Sequence, residues 1–428
     1  MKNVAVALLI LACGAWPHAA TAQSKESAKL PASTEIDRAN TGAIEKIGFV
    51  EKPVVLWKQN LGGDASFGGV AVFHGVVAVI ERSRSRVVAL DAASGERLWE
   101  HAAGPLNYGM GIVMTCEADF DAVIVGCDSG LVALDRETGK QLWRYETESG
   151  VDAPTIAAGL VIAGGSDGKV HAVDLKTGEE KWKHDYMADA PDDPDGFDGN
   201  QARFTGRAAR PQAASTDGET VFLSIFDQCR TLAIDARTGK RRWTFQSKGW
   251  MRSQPTITAD TVYVASQDRH FYALDKKTGK ENWNVETGRW NSASAAITDR
   301  YVVFGSNDGK VYAIVRGMGS PAWEYDVTEG GKVRGSIYSR PLAAEGMVYI
   351  PVLSSGTIHA IDLTSGEAKW KLTPLPGAEI DSDPHFEDGR MFISTRVKSR
   401  QVGDAAVREG EAAIIAIGNR VEKRDRAE

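Results

Sequence analysis

Ten residues separate an alanine from a tryptophan, and the chain repeats that spacing seven times: Ala89/Trp99, Ala133/Trp143, Ala172/Trp182, Ala233/Trp243, Ala273/Trp283, Ala313/Trp323 and Ala360/Trp370. A fixed offset recurring about every 40 residues means that one short unit has been copied along the chain, and units of that length built from short strands close into a ring. Two orphans remain. Ala416 lies in the apolar run IIAIG with no tryptophan after it, and Trp57 has no matching alanine before it. Each supplies what the other lacks. The pattern predicts an all-β, eight-bladed β-propeller closed by pairing an N-terminal strand with the C-terminal blade.

One copy can be read from its chemistry. Segments such as DAASGERLW, DRETGKQLW and DKKTGKENW follow alternating or apolar runs (VVALD, LVALD, FYALD), which read as an inner strand whose alanine lets a neighbouring blade approach. Asp ends the run, because its carboxylate accepts backbone N–H bonds and starts a turn; the Gly that follows (Gly95, Gly139, Gly178, Gly239, Gly279, Gly366) supplies the positive φ of a tight hairpin. The outermost strand then carries the tryptophan. Burying such a ring between blades removes roughly 150–250 Å² from water, about 4–6 kcal/mol as an upper bound. The structural set is therefore Trp57, Trp99, Trp143, Trp182, Trp243, Trp283, Trp323 and Trp370. In the sixth copy Val315 replaces the turn Asp and Pro321 precedes Trp323, so a different hairpin is expected there.

Eight such blades use nearly all of the 428 residues as one domain, residues 54–418, followed by a charged tail at 419–428. Before it, residues 1–22 read as a signal peptide: Lys2, an apolar stretch from Val4 to Ala12, and Ala20-Thr21-Ala22 as the cleavage signal. A second reading also stands, in which Ile10 to Gly14 act as a lipobox and Cys13 carries a lipid anchor. Either way the protein is expected to be exported to the periplasm, in the lipidated case held at a membrane, with residues 23–53 as a flexible tether. No later stretch is long and apolar enough to span a bilayer. The net charge of −7 argues against nucleic acid as a partner. Of the cysteines left after cleavage, Cys116 and Cys127 flank one predicted hairpin and are candidates for a disulfide; Cys229 falls in a turn as a free thiol.

The copies differ most between one tryptophan and the next alanine. That interval is 29 or 30 residues in the tightest copies but 51 from Trp182 to Ala233 and 46 from Trp370 to Ala416, which locates insertions at about Asp185 to Arg210 and Arg396 to Glu411. In an up-and-down blade both connection types emerge on one face of the disc. The same face gains Trp250 and Trp290, each seven residues after an anchor tryptophan, with Lys248, Arg252, Arg289, Lys332, Arg334 and Arg340 beside them and Arg203, Arg207 and Arg210 in the first insertion. Trp and Arg are the types most enriched at binding hot spots. Trp250, Arg252, Arg289, Trp290, Arg334, Arg340, Arg203, Arg207 and Arg210 form the candidate partner-binding set, against the plainer reading of packed rings and solvated arginines.

Catalytic and metal motifs dissolve on inspection. Gly164 to Gly168 matches G-x-S-x-G but sits in a hairpin turn and not on a strand-to-helix elbow. Asp193, Asp195 and Asp198 resemble a calcium loop without its bidentate Glu. His171 and His359 share a strand position with Tyr272 and Tyr312, which reads as a surface slot. No catalytic residue and no metal site is assigned.

The copies ALDxxTGxxxW resemble the repeat of pyrroloquinoline-quinone (PQQ) enzymes and of their non-catalytic relatives, the BamB-type proteins of outer-membrane β-barrel assembly; the resemblance spans about residues 54–418. Within that family the quinone dehydrogenases carry long pocket-building loops, an adjacent Cys-Cys pair and a calcium-binding carboxylate set. This chain has no adjacent Cys pair and little length to spare. The resemblance therefore implies a non-catalytic, cofactor-free scaffold that binds other envelope proteins. A PQQ-dependent oxidoreductase with calcium is the alternative, and a carbohydrate-binding or other enzymatic propeller the second alternative.

Overall fold

A computed structural model describes residues 43–44, 53–61, 67–105, 111–117, 120–188, 211–333, 335–380, 382–402, 405–409 and 411–419. Eight antiparallel sheets succeed one another along the chain. Blade 1 starts at Phe67–Phe73, blade 2 at Ile112–Glu117, blade 3 at Thr155–Ala157 and blade 4 at Ser215–Thr216; blades 5 to 8 start at Thr256–Ile257, Ala296–Ile297, Leu342–Ala344 and Ala378–Ile380. First strands touch their counterparts in several neighbouring blades, which places them around the axis. The ring closes as the orphans require. Val54–Asn60 pairs antiparallel with Ala413–Gly418 as the outer strand of blade 8, and Trp57 lies directly opposite Ala416.

Every copy has the same register. The alanine strand is the third from the axis, and its alanine faces the tryptophan of the fourth strand, with a one-residue bulge just before the ring. All eight alanines are fully buried. Seven of the bulges aim a ring at the next blade's hairpin, and the turn glycine is the reason it fits. A Cβ on Gly139 would lie 2.6 Å from the Trp99 ring, and one on Gly279 2.6 Å from Trp243. Both glycines also hold φ near 70°, which L side chains disfavour. The indole N–H completes the contact by donating to the carbonyl one residue past the turn Asp: Trp99 to Arg136 at 2.7 Å, Trp143 to Leu175 at 2.9 Å and Trp243 to Lys276 at 2.8 Å. One residue thus fills the seam and pins the neighbouring turn.

Three expectations are corrected. Cys116 and Cys127 are free thiols. The two-strand register sets Cys116 opposite Asp121 and Cys127 opposite Gly130 on the other side; six residues of strand, about 20 Å, separate Cys127 from the position facing Cys116, beyond any disulfide's reach. The sixth hairpin is not different. Val315 N–H bonds Ser320 at 2.8 Å and Gly319 N–H bonds Val315 at 3.0 Å, the backbone pattern of the Asp turns, so backbone and Gly319 suffice without the Asp cap. His171 and His359 are buried, not at the surface: they are 1% and 3% exposed. His171 Nε2 lies 3.0 Å from Asp167 and its Nδ1 3.1 Å from Tyr145 Oη of the preceding blade. Cys229 does sit in a turn, buried, its thiol pushed up to about 12 by burial and then by Asp268 and Asp227.

Candidate functional site

Two connection types, from the second to the third strand and from one blade to the next, share one face. The hairpin Arg390–Val402 with Ala405–Glu409 extends from blade 8 on that side. The first insertion lies outside the described residues beyond Ala188, as do Arg203, Arg207, Arg210, Asp193, Asp195 and Asp198. Its root is fixed: Tyr186 is fully buried, donates to the Gly165 carbonyl at 2.6 Å and accepts from the buried Arg230 at 3.1 Å. Arg334 and Cys13 are also outside the described residues.

The loops carrying Trp250 and Trp290 are built alike. The Trp250 carbonyl accepts from Gln267 N–H at 2.9 Å and the Trp290 carbonyl from Asn307 N–H at 3.1 Å. Lys248 N–H donates to Asp268 at 3.0 Å and Gly288 N–H to Asp308 at 2.8 Å. Those aspartates also accept from Tyr272 and Tyr312 at 2.8 and 2.6 Å. The two backbones are therefore held by matching contacts with the following blade, and only the rings differ. Trp250 is half-buried against Phe226, centroids 4.8 Å apart. Trp290 is 42% exposed, with the Arg289 guanidinium 5.4 Å from its ring centre.

The arginines divide into two groups. Arg289 and Trp290 border an open cleft of about 380 Å³ with Gln267, Asp268, Arg269 and Gly288. Exposed Arg252 instead stacks 5.1 Å above the Tyr338 ring. These residues come from the starts of blades 5 and 7, and side chains two blades apart meet only near the axis. Arg340 is half-buried beside them, its backbone N–H bonded to Asp383 at 2.7 Å. At the start of blade 3, burial holds the Asp152 carboxyl up at about 6 against the Ala153 N–H and then Arg82.

A quinone with its calcium ion would need a convergent set of donors. Among the described residues no three His, Cys, Asp or Glu side chains gather to hold a metal ion. Among the same residues, no helix is long and apolar enough to cross a membrane.

Two surfaces escaped the sequence reading. On the face of the Asp turns, Met318 is 77% exposed at the divergent sixth hairpin, beside a cleft of about 400 Å³ lined by Asp260, Asp299, Arg300 and Arg316 among others. On the rim, the bulge residues Leu98 and Leu142 are 48% and 45% exposed, where blades 3, 4 and 7 carry Lys181, Arg242 and Lys369. The missing turn Asp signalled the first. Nothing in a leucine beside a buried tryptophan distinguishes the second, because the bulge is a property of pairing.

The ring is similar to solved structures at low identity. BamB from Moraxella catarrhalis superposes with a TM-score of 0.63 at 18% identity, over 86% of this chain and 100% of that one. Quinohemoprotein alcohol dehydrogenase from Comamonas testosteroni gives 0.67 at 16% identity, over 90% and 80%. Lupanine 17-hydroxylase (cytochrome c) from a Pseudomonas species is 31% identical over 101 residues, 23% of this chain, which spans only 13% of that relative's length. The family model for outer membrane protein assembly factor BamB matches residues 51–195 and 199–396. With the same repeat already seen closing into eight blades, the chain belongs to that family of PQQ-like-repeat β-propellers.

Proposed function

We propose that the protein is a non-catalytic scaffold of the cell envelope, exported to the periplasm, which binds other envelope proteins on the face of Trp250 and Trp290 in a role like the one its family is named for. One observation carries this reading: Trp290 is presented to solvent on a backbone tied down by Asn307 and Asp308, with Arg289 against its ring and an open cleft alongside. A rigid aromatic anchor loses little conformational entropy on binding, and the loop needs no ordering. Phe226 with Trp250 and Arg252 with Tyr338 extend the aromatic–cationic surface towards the axis.

The test compares two double variants in pull-downs from a periplasmic extract, with melting curves on each. Changing Trp250 and Trp290 to Ala should weaken capture by ~2 kcal/mol, about 30-fold in Kd, with most of the stability retained. Changing Trp243 and Trp283 to Ala should act first on stability. Unchanged capture in the first variant would remove the proposed face.

A PQQ-dependent oxidoreductase remains the second reading, favoured by the segment shared with lupanine 17-hydroxylase and the likeness to a quinohemoprotein fold. Dye-linked dehydrogenase activity above a no-protein control, after addition of quinone and calcium, would establish it in place of the scaffold.

A further inference from the structure

The innermost strand of a propeller blade has a free backbone edge facing the channel, and eight such edges converge on one axis. In blades 4 to 6 side chains close these edges. Ser215 donates to the Pro255 carbonyl at 2.6 Å, Gln254 to the Ala214 carbonyl at 3.0 Å, and Ser294 to the Gln254 carbonyl at 2.9 Å. Thr256 Oγ1 accepts from Ala295 N–H at 3.3 Å. The first strand of blade 7, Leu342-Ala343-Ala344, carries no side-chain donor or acceptor of its own. Here a fifth strand is added. Ala43–Ile44, from the span read as a tether, pairs parallel with it, Ala43 beside Ala343 and Ile44 beside Ala344, on the edge away from Met347–Val352 and therefore on the channel side.

Polarity fixes the direction of the added strand. The first strand of each blade runs from the decorated face to the face of the Asp turns, and a parallel partner runs the same way. Ala43 therefore lies towards the side of Arg252, Tyr338 and Arg340, and Ile44 towards the opposite face, where Val54–Asn60 begins its descent along the rim of blade 8.

We propose that Ala43–Ile44 is an axial plug, a strand that pairs with the channel edge of blade 7, whose first strand offers no polar side chain of its own, and closes the channel to small-molecule ligands. The small Ala343 and Ala344 leave room for it, and pairing gives their backbone groups the partners that Gln254, Ser294 and Thr256 give elsewhere. This inference is independent of what docks on the decorated face. It also names what a channel ligand would have to displace.

Cysteine trapping tests the position in the full chain with Cys116→Ser as background. Paired strands place Cα atoms about 5 Å apart, within disulfide range, so Ala43→Cys with Ala343→Cys should cross-link under mild oxidation. Ala43→Cys with Ala157→Cys, on the first strand of blade 3, should stay reduced. Equal cross-linking of both pairs, or of neither, would overturn the plug. Hydrogen exchange gives a second readout that needs no cysteine. Ile44→Pro should raise exchange at least tenfold in a peptide covering Leu342–Ala344 and leave Thr155–Ala157 unchanged, whereas unaltered exchange at Leu342–Ala344 would equally overturn it.

Discussion

On the face of the Asp turns, one blade meets the next in the same way at seven seams, among them Trp99 under Gly139, Trp143 under Gly178, Trp182 under Gly239 and Trp243 under Gly279. Towards the decorated face the same seams vary. The residue two places after the anchor tryptophan meets the residue just before the next blade's anchor alanine, and that pair is Tyr145 with His171, Phe245 with Tyr272, and Tyr325 with His359. In blades 1, 2 and 4 the second position is Val88, Val132 and Leu232. The uniform seam sets blade-to-blade spacing, which must be constant for a ring to close. The variable seam carries polar groups that reach the turns between second and third strands, Asp268 and Asp308 among them, and these turns hold the loops of Trp250 and Trp290. Closure is thus repeated on one side of the disc, and the side proposed for recognition varies from blade to blade.

The largest effect should come from the seam that joins the chain's two ends. Deleting residues 54–60 removes Trp57 and leaves Ala413–Gly418 as an exposed edge, and the protein should aggregate or fail to fold. A monomer melting at the wild-type temperature, by light scattering and calorimetry, would show that the ring does not depend on closure. Next comes the glycine beneath a ring. Gly139→Ala must adopt φ near 68° and displace Trp99, whereas Gly218→Ala has φ near 91° but open space around it. Urea titrations should give a loss of about 3 kcal/mol for the first and about 1–2 kcal/mol for the second. Equal losses would mean that the tryptophan seam contributes no more than backbone strain.

The uniform side was legible in the sequence because its geometry demands particular residues at particular offsets. Only glycine tolerates both the turn's φ and the overlying ring, so the Asp-to-Gly-to-Trp spacing survived in the copies. Even the departure at Val315 left Gly319 in place, and the hairpin kept its form. The variable side was legible in composition but not in detail. Matching positions of Trp250 and Trp290 could be counted, yet the burial of one against Phe226 and exposure of the other depend on a residue 24 positions away from Trp250 in a different turn. The disulfide expectation failed for a related reason: the hairpin's pairing register, which no residue type in it dictates, separates the two cysteines. The strand at Ala43–Ile44 has too little pattern to be seen at all.

Variation at the seams also predicts a pH response specific to one of them. His359 is buried between Tyr325 Oη at 3.1 Å and Thr357 Oγ1 at 3.0 Å, and burial, then Lys371, hold its imidazole down at about 4 against the weaker opposing pull of Glu329. The unfolded chain takes up this proton near pH 6.5 and the folded one only near 4. The stability present above pH 6.5 is therefore lost progressively as pH falls towards 4, by about 2–3 kcal/mol. Asp152 has the opposite slope, since its raised carboxyl favours the folded state more as pH falls from about 6, so the whole-protein profile is not diagnostic and a difference is. His359→Gln should be less stable than wild type at pH 7.5 and equal or more stable at pH 4.5 in paired urea titrations. A constant gap at both values would show that this imidazole does not titrate with folding.

The smallest expected change separates the two loop tryptophans. Trp250 covers Phe226 at 4.8 Å, and Trp250→Ala would give up that aromatic pair and part of the ring's burial, about 1–2 kcal/mol of stability. Trp290 has 42% of its surface in solvent and its main contact is the exposed Arg289; an exposed cation–π pair contributes about 0.5 kcal/mol. Neither substitution touches the backbone carbonyls that receive Gln267 and Asn307 N–H, so the loops should keep their course. Trp290→Ala should therefore melt within about 1 °C of wild type while losing most of the capture lost by the double variant. A loss of stability equal to that of Trp250→Ala would mean that Trp290 is a packing residue, and the division between a closing face and a recognising face would fail at its most exposed ring.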